Sequence, residues 1–105
     1  MNLITKTIHF EDKGSIRISI PMNYLIKSNL KKGDRIRIGN HLDNFTIQNT
    51  GSNIGILIDS RGLISLPMRF VDKHRLQKCS EIEIWMEKNN IMFKFLKNKS
   101  VEKAV

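Results

Sequence analysis

Alternation of apolar and polar residues predicts that most of this chain is β-strand. The clearest case is the segment 15–20, where Ile16, Ile18 and Ile20 are separated by polar residues. A period of two is that of a strand with one buried face and one solvated face. Seven other segments have the apolar and β-branched content of strands; these are 3–10, 35–39, 45–48, 53–58, 63–66, 81–86 and 91–96.

Two prolines interrupt this strand pattern. Proline cannot donate a hydrogen bond to a sheet, but it suits the first turn of a helix. Pro21 and Pro67 therefore predict two short helices, over 22–28 and from Pro67 to about Lys73. Glycine, asparagine and aspartate predict the turns, at 11–14, 31–34, 40–44, 49–52, 59–62 and 87–90.

The same order of elements occurs twice, 46 positions apart. At this offset Pro21 aligns with Pro67, and further pairs follow in the same register: Met22 with Met68, Leu30 with Leu76, Ile36 with Ile82, Ile38 with Ile84, Phe45 with Ile91 and Ile47 with Phe93. Such repeats usually cannot bury their apolar faces alone, and units of about fifty residues are marginal as separate domains. We therefore expect repeats 1–50 and 53–96 to share one core, followed by a short polar tail over 97–105.

The chain has a formal net charge of +8, which bears on its binding partner rather than on its fold. A field of this sign attracts polyanions, of which nucleic acid is the usual one. Acidic membrane surfaces, acidic proteins and a merely solvated surface are the alternatives. The charge is not confined to the tail, because residues 1–50 carry eight Lys and Arg against four Asp and Glu.

The repeated pattern resembles the AbrB/SpoVT superfamily of swapped-hairpin DNA-binding domains. The resemblance rests on the glycine–strand–proline–helix–turn–strand order in residues 13–38, KGSIRISIPMNYL followed by LKKGDRIRI, and again in residues 59–86. It implies a small β-barrel formed by two interleaved ββαββ units about a pseudo-twofold axis. It also implies duplex DNA as the partner, and DNA-binding proteins often dimerise to contact two half-sites.

The resemblance places the DNA contacts on the glycine turns and on the outer face of the second strand of each repeat. The expected DNA-binding residues are Lys13, Ser15, Arg17 and Ser19 in the first repeat and Arg61 and Ser65 in the second. Additional contacts with the DNA backbone are expected from Lys6, Lys27, Arg69 and Lys73. A guanidinium at Arg17 suits bidentate contact with a base edge, and charges before the two glycines suit phosphates. An ordinary solvated role is the alternative for each.

The second repeat departs from the family pattern. It has Cys79-Ser80 where Gly-Asp is usual, Leu63 where the first repeat has Arg17, and Asp72 where many relatives are basic. We therefore expect the first repeat to supply more of the DNA contact.

Two further patterns carry hypotheses. Arg35 and Arg37 align with Glu81 and Glu83, so the repeats would attract each other if these strands faced one another; independent solvated charges are the alternative. The aromatic residues of 85–95 are expected in the core or at a subunit contact rather than as a stacking platform for bases, with Trp85 the better candidate for a partner surface.

Other classes of function fit the sequence less well. An antitoxin would need a tail that is longer than 97–105 and acidic or amphipathic. An architectural nucleoid protein would differ from a transcriptional regulator in its lower selectivity for DNA sequence. No nucleophile–base pair or phosphate-binding loop suggests an enzyme. Cys79 and the scattered histidines suggest neither a disulfide nor a metal, and we expect no cofactor. Without a long apolar stretch the chain is expected to have no membrane span and to be cytoplasmic, associated with the nucleoid.

Overall fold

The computed structural model describes residues 3–10, 14–41 and 44–97. The protein is mostly β, with strand over half of these residues and two short helices. The strands are β1 (Ile4–Thr7), β2 (His9–Phe10), β3 (Ile16–Ser19), β4 (Arg35–His41), β5 (Asn44–Asn49), β6 (Ile56–Leu57), β7 (Leu63–Leu66), β8 (Cys79–Glu87) and β9 (Asn90–Lys97). The helices are α1 (Met22–Lys27) and α2 (Met68–Lys73), followed by a 3₁₀ turn at Leu76–Lys78. Most of the predicted elements are therefore present.

Local sequence explains where these elements begin and turn. Pro21 and Pro67 are the N-caps of α1 and α2, each with the negative φ that the pyrrolidine ring imposes. β8 and β9 are joined by Lys88 and Asn89, both with positive φ. Two such residues form the two-residue turn whose twist matches an antiparallel hairpin.

The strands form two sheets. The large sheet has the order β1-β8-β9-β5-β4-β6 and curls into a half-barrel, and the small sheet has the order β2-β3-β7. One cluster of buried apolar residues fills the molecule and includes side chains of both repeats, among them Ile16, Ile36, Ile64, Ile82 and Phe93. The two repeats therefore share this cluster of side chains.

The two sheets each contain a junction where the repeats meet in register. In the small sheet β3 pairs antiparallel with β7, and Ile18 lies opposite its own repeat equivalent, Ile64. In the large sheet β5 pairs with β9, and Thr46 lies opposite its equivalent, Met92. At both junctions, therefore, a residue of the first repeat lies opposite its equivalent in the second.

The outer strands of the large sheet are exchanged between the repeats. β1 of the first repeat pairs with β8 of the second, with Thr7 opposite Glu81. β6 of the second repeat pairs with β4 of the first, with Leu57 opposite Arg35. Because Glu81 and Arg35 are repeat equivalents, Thr7 and Leu57 occupy equivalent places in the fold.

Two predicted strands differ from the structure. The segment 3–10 is divided at the buried Ile8, so that β1 joins the large sheet and β2 the small one. The strand predicted over 53–58 is only β6, because Gly55 has a φ of +129° that ends regular pairing. Lys13 and the tail beyond Lys97 lie outside the described residues.

Two predicted interactions are corrected. β4 and β8 are separated by β5 and β9, so the aligned arginines and glutamates do not face each other. Arg37 instead donates to Gln48, with 3.0 Å between Nε and Oε1, and Glu83 lies opposite Lys94. Of the two places expected for Trp85, the core and a partner surface, the structure has the core: Trp85 is 8% exposed, and its indole N–H donates to Glu87 Oε2 at 2.9 Å.

Candidate nucleic-acid interface

The exposed side of the small sheet brings several of the predicted DNA-binding residues together. Ile16 and Ile18 of β3 point into the core, so strand alternation turns Arg17 and Ser19 outward. Across the ladder Arg17 lies opposite Ser65, and Ser19 lies opposite Leu63. We call this surface, formed by Arg17, Ser19, Leu63 and Ser65, the small-sheet face.

The small-sheet face is symmetric in backbone but not in charge. Arg17–Ser65 and Ser19–Leu63 are equivalent pairs about the Ile18–Ile64 centre. Serine occupies one position of each pair, and the other position is Arg17 in the first repeat and Leu63 in the second. The first repeat therefore supplies the strand arginine, and the second supplies an apolar side chain at the matching point.

Arg61 lies in the turn between β6 and β7, where its charge is partly compensated. Its guanidinium is 3.7 Å from Asp59 Oδ2, and both side chains are partly exposed. Asp59 Oδ1 also accepts hydrogen bonds from the backbone N–H groups of Arg61, at 2.8 Å, and Leu63, at 3.0 Å. An aspartate that holds its own turn in this way is a common way of ordering a loop.

The carboxyl group of Asp59 has a lowered pKa. The hydrogen bond from the Leu63 N–H is the largest cause, and the Arg61 N–H and the charges of Arg61 and Arg17 act in the same direction. Among the described residues, the basic surface therefore contains the carboxylate of Asp59, whose charge opposes an approaching phosphate.

Lys6 reaches the edge of the small-sheet face from the large sheet. It lies on β1, and its Nζ donates to the carbonyl oxygen of Ser19 at 3.0 Å. A pocket of about 580 Å³ opens beside this contact, lined by residues of β1, β2, β3, β7 and β8. Lys6 and Arg17 both line the pocket, so these two predicted residues are brought together.

The remaining predicted residues have different places. Ser15 is half-buried and directly precedes β3. Lys27, Arg69 and Lys73 are exposed on the helices, at the end of α1 and along α2, rather than on the sheet. These three cations therefore do not belong to the small-sheet face.

Two residues of the surface were not singled out from the sequence. His9 on β2 lies opposite Arg17 and lines the pocket beside Lys6. Its position follows from the pairing of β2 with β3. This pairing could not be foreseen, because the sequence predicts one continuous strand over 3–10. Asp59 could have been found, since an aspartate two residues before Arg61 in a predicted turn is a typical side-chain acceptor for backbone N–H groups.

The wider molecule adds two observations. Neither helix of the described ranges is long or apolar enough to cross a membrane. Within the same ranges, His, Cys, Asp and Glu side chains form no group of three or more that could hold a metal ion.

A scan against family models, a search of curated proteins and a search of solved structures each found no match for this chain.

Proposed function

We propose that this protein is a duplex-DNA-binding transcriptional regulator of the AbrB-like type, which contacts DNA through the small-sheet face and the glycine turns of the two repeats. The observation that carries the proposal is the β3–β7 pairing, which has Arg17, Ser19 and Ser65 on one exposed face beside the Ile18–Ile64 pair. The exchange of β1 and β6 between repeats supports a swapped-hairpin barrel of two ββαββ units. The formal net charge of +8 supports a polyanionic partner.

The geometry suggests different roles for the basic residues. Arg17 projects from the middle of a strand, and a guanidinium there can donate two hydrogen bonds to a guanine edge. Lys6 and Arg61 lie at the margins of the surface, where a cation meets phosphates. Because Asp59 is within 3.7 Å of Arg61, Arg61 should contribute less than a full phosphate contact.

The test is a titration of labelled duplexes by fluorescence anisotropy over a salt series. One duplex is selected from a random library by the protein itself, and the other has random sequence. Arg17→Ala should reduce the preference for the selected duplex by about 1–3 kcal/mol at one base pair. Lys6→Gln should weaken binding to both duplexes alike and reduce the salt slope by about one.

The matched control is Lys94→Gln, which removes the same charge from the large sheet, where Lys94 is exposed opposite Glu83. It should leave selectivity unchanged and affect the salt slope less than Lys6→Gln does. Equal binding of the selected and random duplexes by the parent protein would favour an architectural protein instead. If the Lys6, Arg17 and Arg61 triple variant bound DNA as tightly as the parent, the surface would be misplaced and the helix cations would become the better candidates.

A homodimer that contacts two half-sites is part of the proposal. The tandem repeats already pair within one chain, so a dimer would present two small-sheet faces rather than complete one. Sedimentation of the pure protein at micromolar concentration gives the oligomeric state directly.

A further inference from the structure

We propose that the pocket between β1 and β3 binds a small free anion with an apolar tail, such as a medium-chain carboxylate. The pocket has a volume of about 580 Å³, within the range typical of small-molecule sites. It is distinct in chemistry from a phosphate-binding surface because its lining combines buried apolar side chains with cations.

The apolar part of the pocket comes from three strands. Ile8, Ile18 and Ile82 line it, and each is less than a tenth exposed. Leu63 adds a half-buried side chain from β7. Contact with the core of the protein gives an alkyl chain a place away from water, which a nucleic-acid backbone cannot use.

The polar part of the pocket is cationic. Lys6 and Arg17 line it, together with the imidazole of His9. Lys6 uses one donor on the Ser19 carbonyl oxygen, and an ammonium has three. A carboxylate at this point would accept a charge-assisted hydrogen bond from Lys6 while its chain follows the isoleucines.

The two repeats differ in length beside this pocket. Ile8 and Ile58 follow the equivalent residues Thr7 and Leu57, and Ile18 is equivalent to Ile64. Residues 9–17 connect Ile8 to Ile18, whereas only residues 59–63 connect Ile58 to Ile64. In the second repeat the short turn is closed by hydrogen bonds, from Asp59 N to the Leu63 oxygen and from Gly62 N to the Asp59 oxygen, both 3.0 Å.

In the first repeat the equivalent place is held by the pairing of β2 with β3, in which His9 lies opposite Arg17. His9 and Arg17 both line the pocket, whereas the second repeat has Asp59 and Leu63 at the equivalent positions. The volume of the pocket and its combination of cationic and apolar lining indicate a ligand.

The probe is octanoate, kept below its aggregation concentration, with the intact protein labelled at isoleucine methyl groups for NMR. Saturable shifts are expected at Ile8, Ile18 and Ile82, with Ile47 of the β5–β9 junction as the internal reference. Hexanoate should bind roughly tenfold more weakly because it buries two fewer methylene groups. Acetate should produce no saturable shift at the three isoleucines.

Variants distinguish the site from general charge attraction. Lys6→Gln should weaken octanoate binding about fivefold, and Lys94→Gln should leave it unchanged. The methyl spectrum of each variant without ligand checks that the fold is intact, and the dependence on chain length in the parent protein tests the site without any substitution. Shifts that are equal for acetate and octanoate, or equal losses in both variants, would overturn the proposal.

These measurements contain no DNA, so they succeed or fail independently of the proposed function. One consequence does depend on that function: Lys6 and Arg17 cannot serve ligand and DNA at once. Octanoate should then weaken DNA binding with the same half-saturation concentration that the methyl shifts give. If the protein bound octanoate but not DNA, the proposed ligand site would be supported and the proposed regulatory function would be contradicted.

Discussion

Asp59 has two opposed effects on this molecule. Its carboxylate orders the β6–β7 turn by accepting hydrogen bonds from the Arg61 and Leu63 N–H groups. The same negative charge lies in the basic surface and offsets part of the field of Arg61 and Arg17. Stability and anion affinity are therefore coupled in opposite directions at this residue.

Asp59→Asn should lower the stability of the fold and raise its affinity for DNA. The amide oxygen can still accept the two backbone hydrogen bonds, but the stronger charge-assisted ones are lost. With one negative charge removed, DNA affinity should rise about two- to fivefold at moderate salt, for all sequences alike. Urea unfolding and anisotropy titration measure the two effects on the same preparation.

The stability difference should depend on pH in a defined direction. The pKa of Asp59 in the folded protein lies below its ordinary value of 3.8, so its charged form stabilises the folded state above that value. This contribution is lost as the pH falls through the folded-state pKa, because both states then bind the proton. Parent and variant should therefore converge in unfolding free energy at low pH, and a difference that stayed constant from pH 7 to pH 3 would contradict this account.

At the scale of elements, one glycine allows β6 to join the large sheet. Gly55 has a φ of +129°, and a Cβ at this position would lie 2.6 Å from the carbonyl oxygen of Ile36 in β4. Arg35 holds the same place by donating to the Gly55 carbonyl oxygen at 3.1 Å. The backbone of the 50–55 loop therefore approaches β4 more closely than any side chain would permit.

Gly55→Ala should destabilise the protein by at least about 3 kcal/mol, from the backbone strain and the clash together. Gly51→Ala is the matched control, since Gly51 has a φ of +67° with nothing within 4 Å of an added Cβ. That change should cost only about 1–2 kcal/mol. The two free energies of unfolding, measured by chemical denaturation, decide the point, and equal costs would show that the approach to Ile36 is not tight.

Element types were predictable from the sequence, but their partners were not. Period-two alternation and the two prolines located β3, β7 and both helices within a residue or two. Alternation does not tell which sheet a strand joins, so the division at Ile8 was not foreseen. The hypothesis that the aligned arginines and glutamates face each other was wrong, because sequence offset alone does not show that β5 and β9 lie between β4 and β8.

The candidate surface was predictable to a similar degree. Arg17, Ser19 and Ser65 could be placed on one face from alternation and the repeat, and the structure has them there. The contact of Lys6 with Ser19 could not be foreseen, since it joins two sheets across 13 positions of sequence. The pocket beside it depends on this same long-range arrangement.

At the scale of the whole molecule, the repeats depend on each other. Four strand pairings cross between them: β1 with β8, β6 with β4, β3 with β7, and β5 with β9. The buried cluster likewise draws on both repeats. Separation would expose both the strand edges and the apolar side chains of each half.

Expressed separately, the fragments 1–50 and 51–105 should therefore each fail to fold as a monomer. Each should be unfolded or self-associated, since an apolar face without its partner is not stable in water. Heteronuclear NMR with sedimentation distinguishes these states, and mixing the fragments should restore the dispersed spectrum of the intact chain. A well-dispersed, monomeric spectrum from either fragment alone would contradict the shared core.

The pairing of Arg17 with Ser65 and of Ser19 with Leu63 has a consequence for direction. A true homodimer presents identical halves, so turning it end over end on a duplex changes nothing, and it suits a palindrome. Here one end of the small-sheet face carries the strand guanidinium and the other carries leucine. If this face contacts DNA, each chain of the proposed dimer has two different ends, and the half-site that it prefers has an orientation along the double helix.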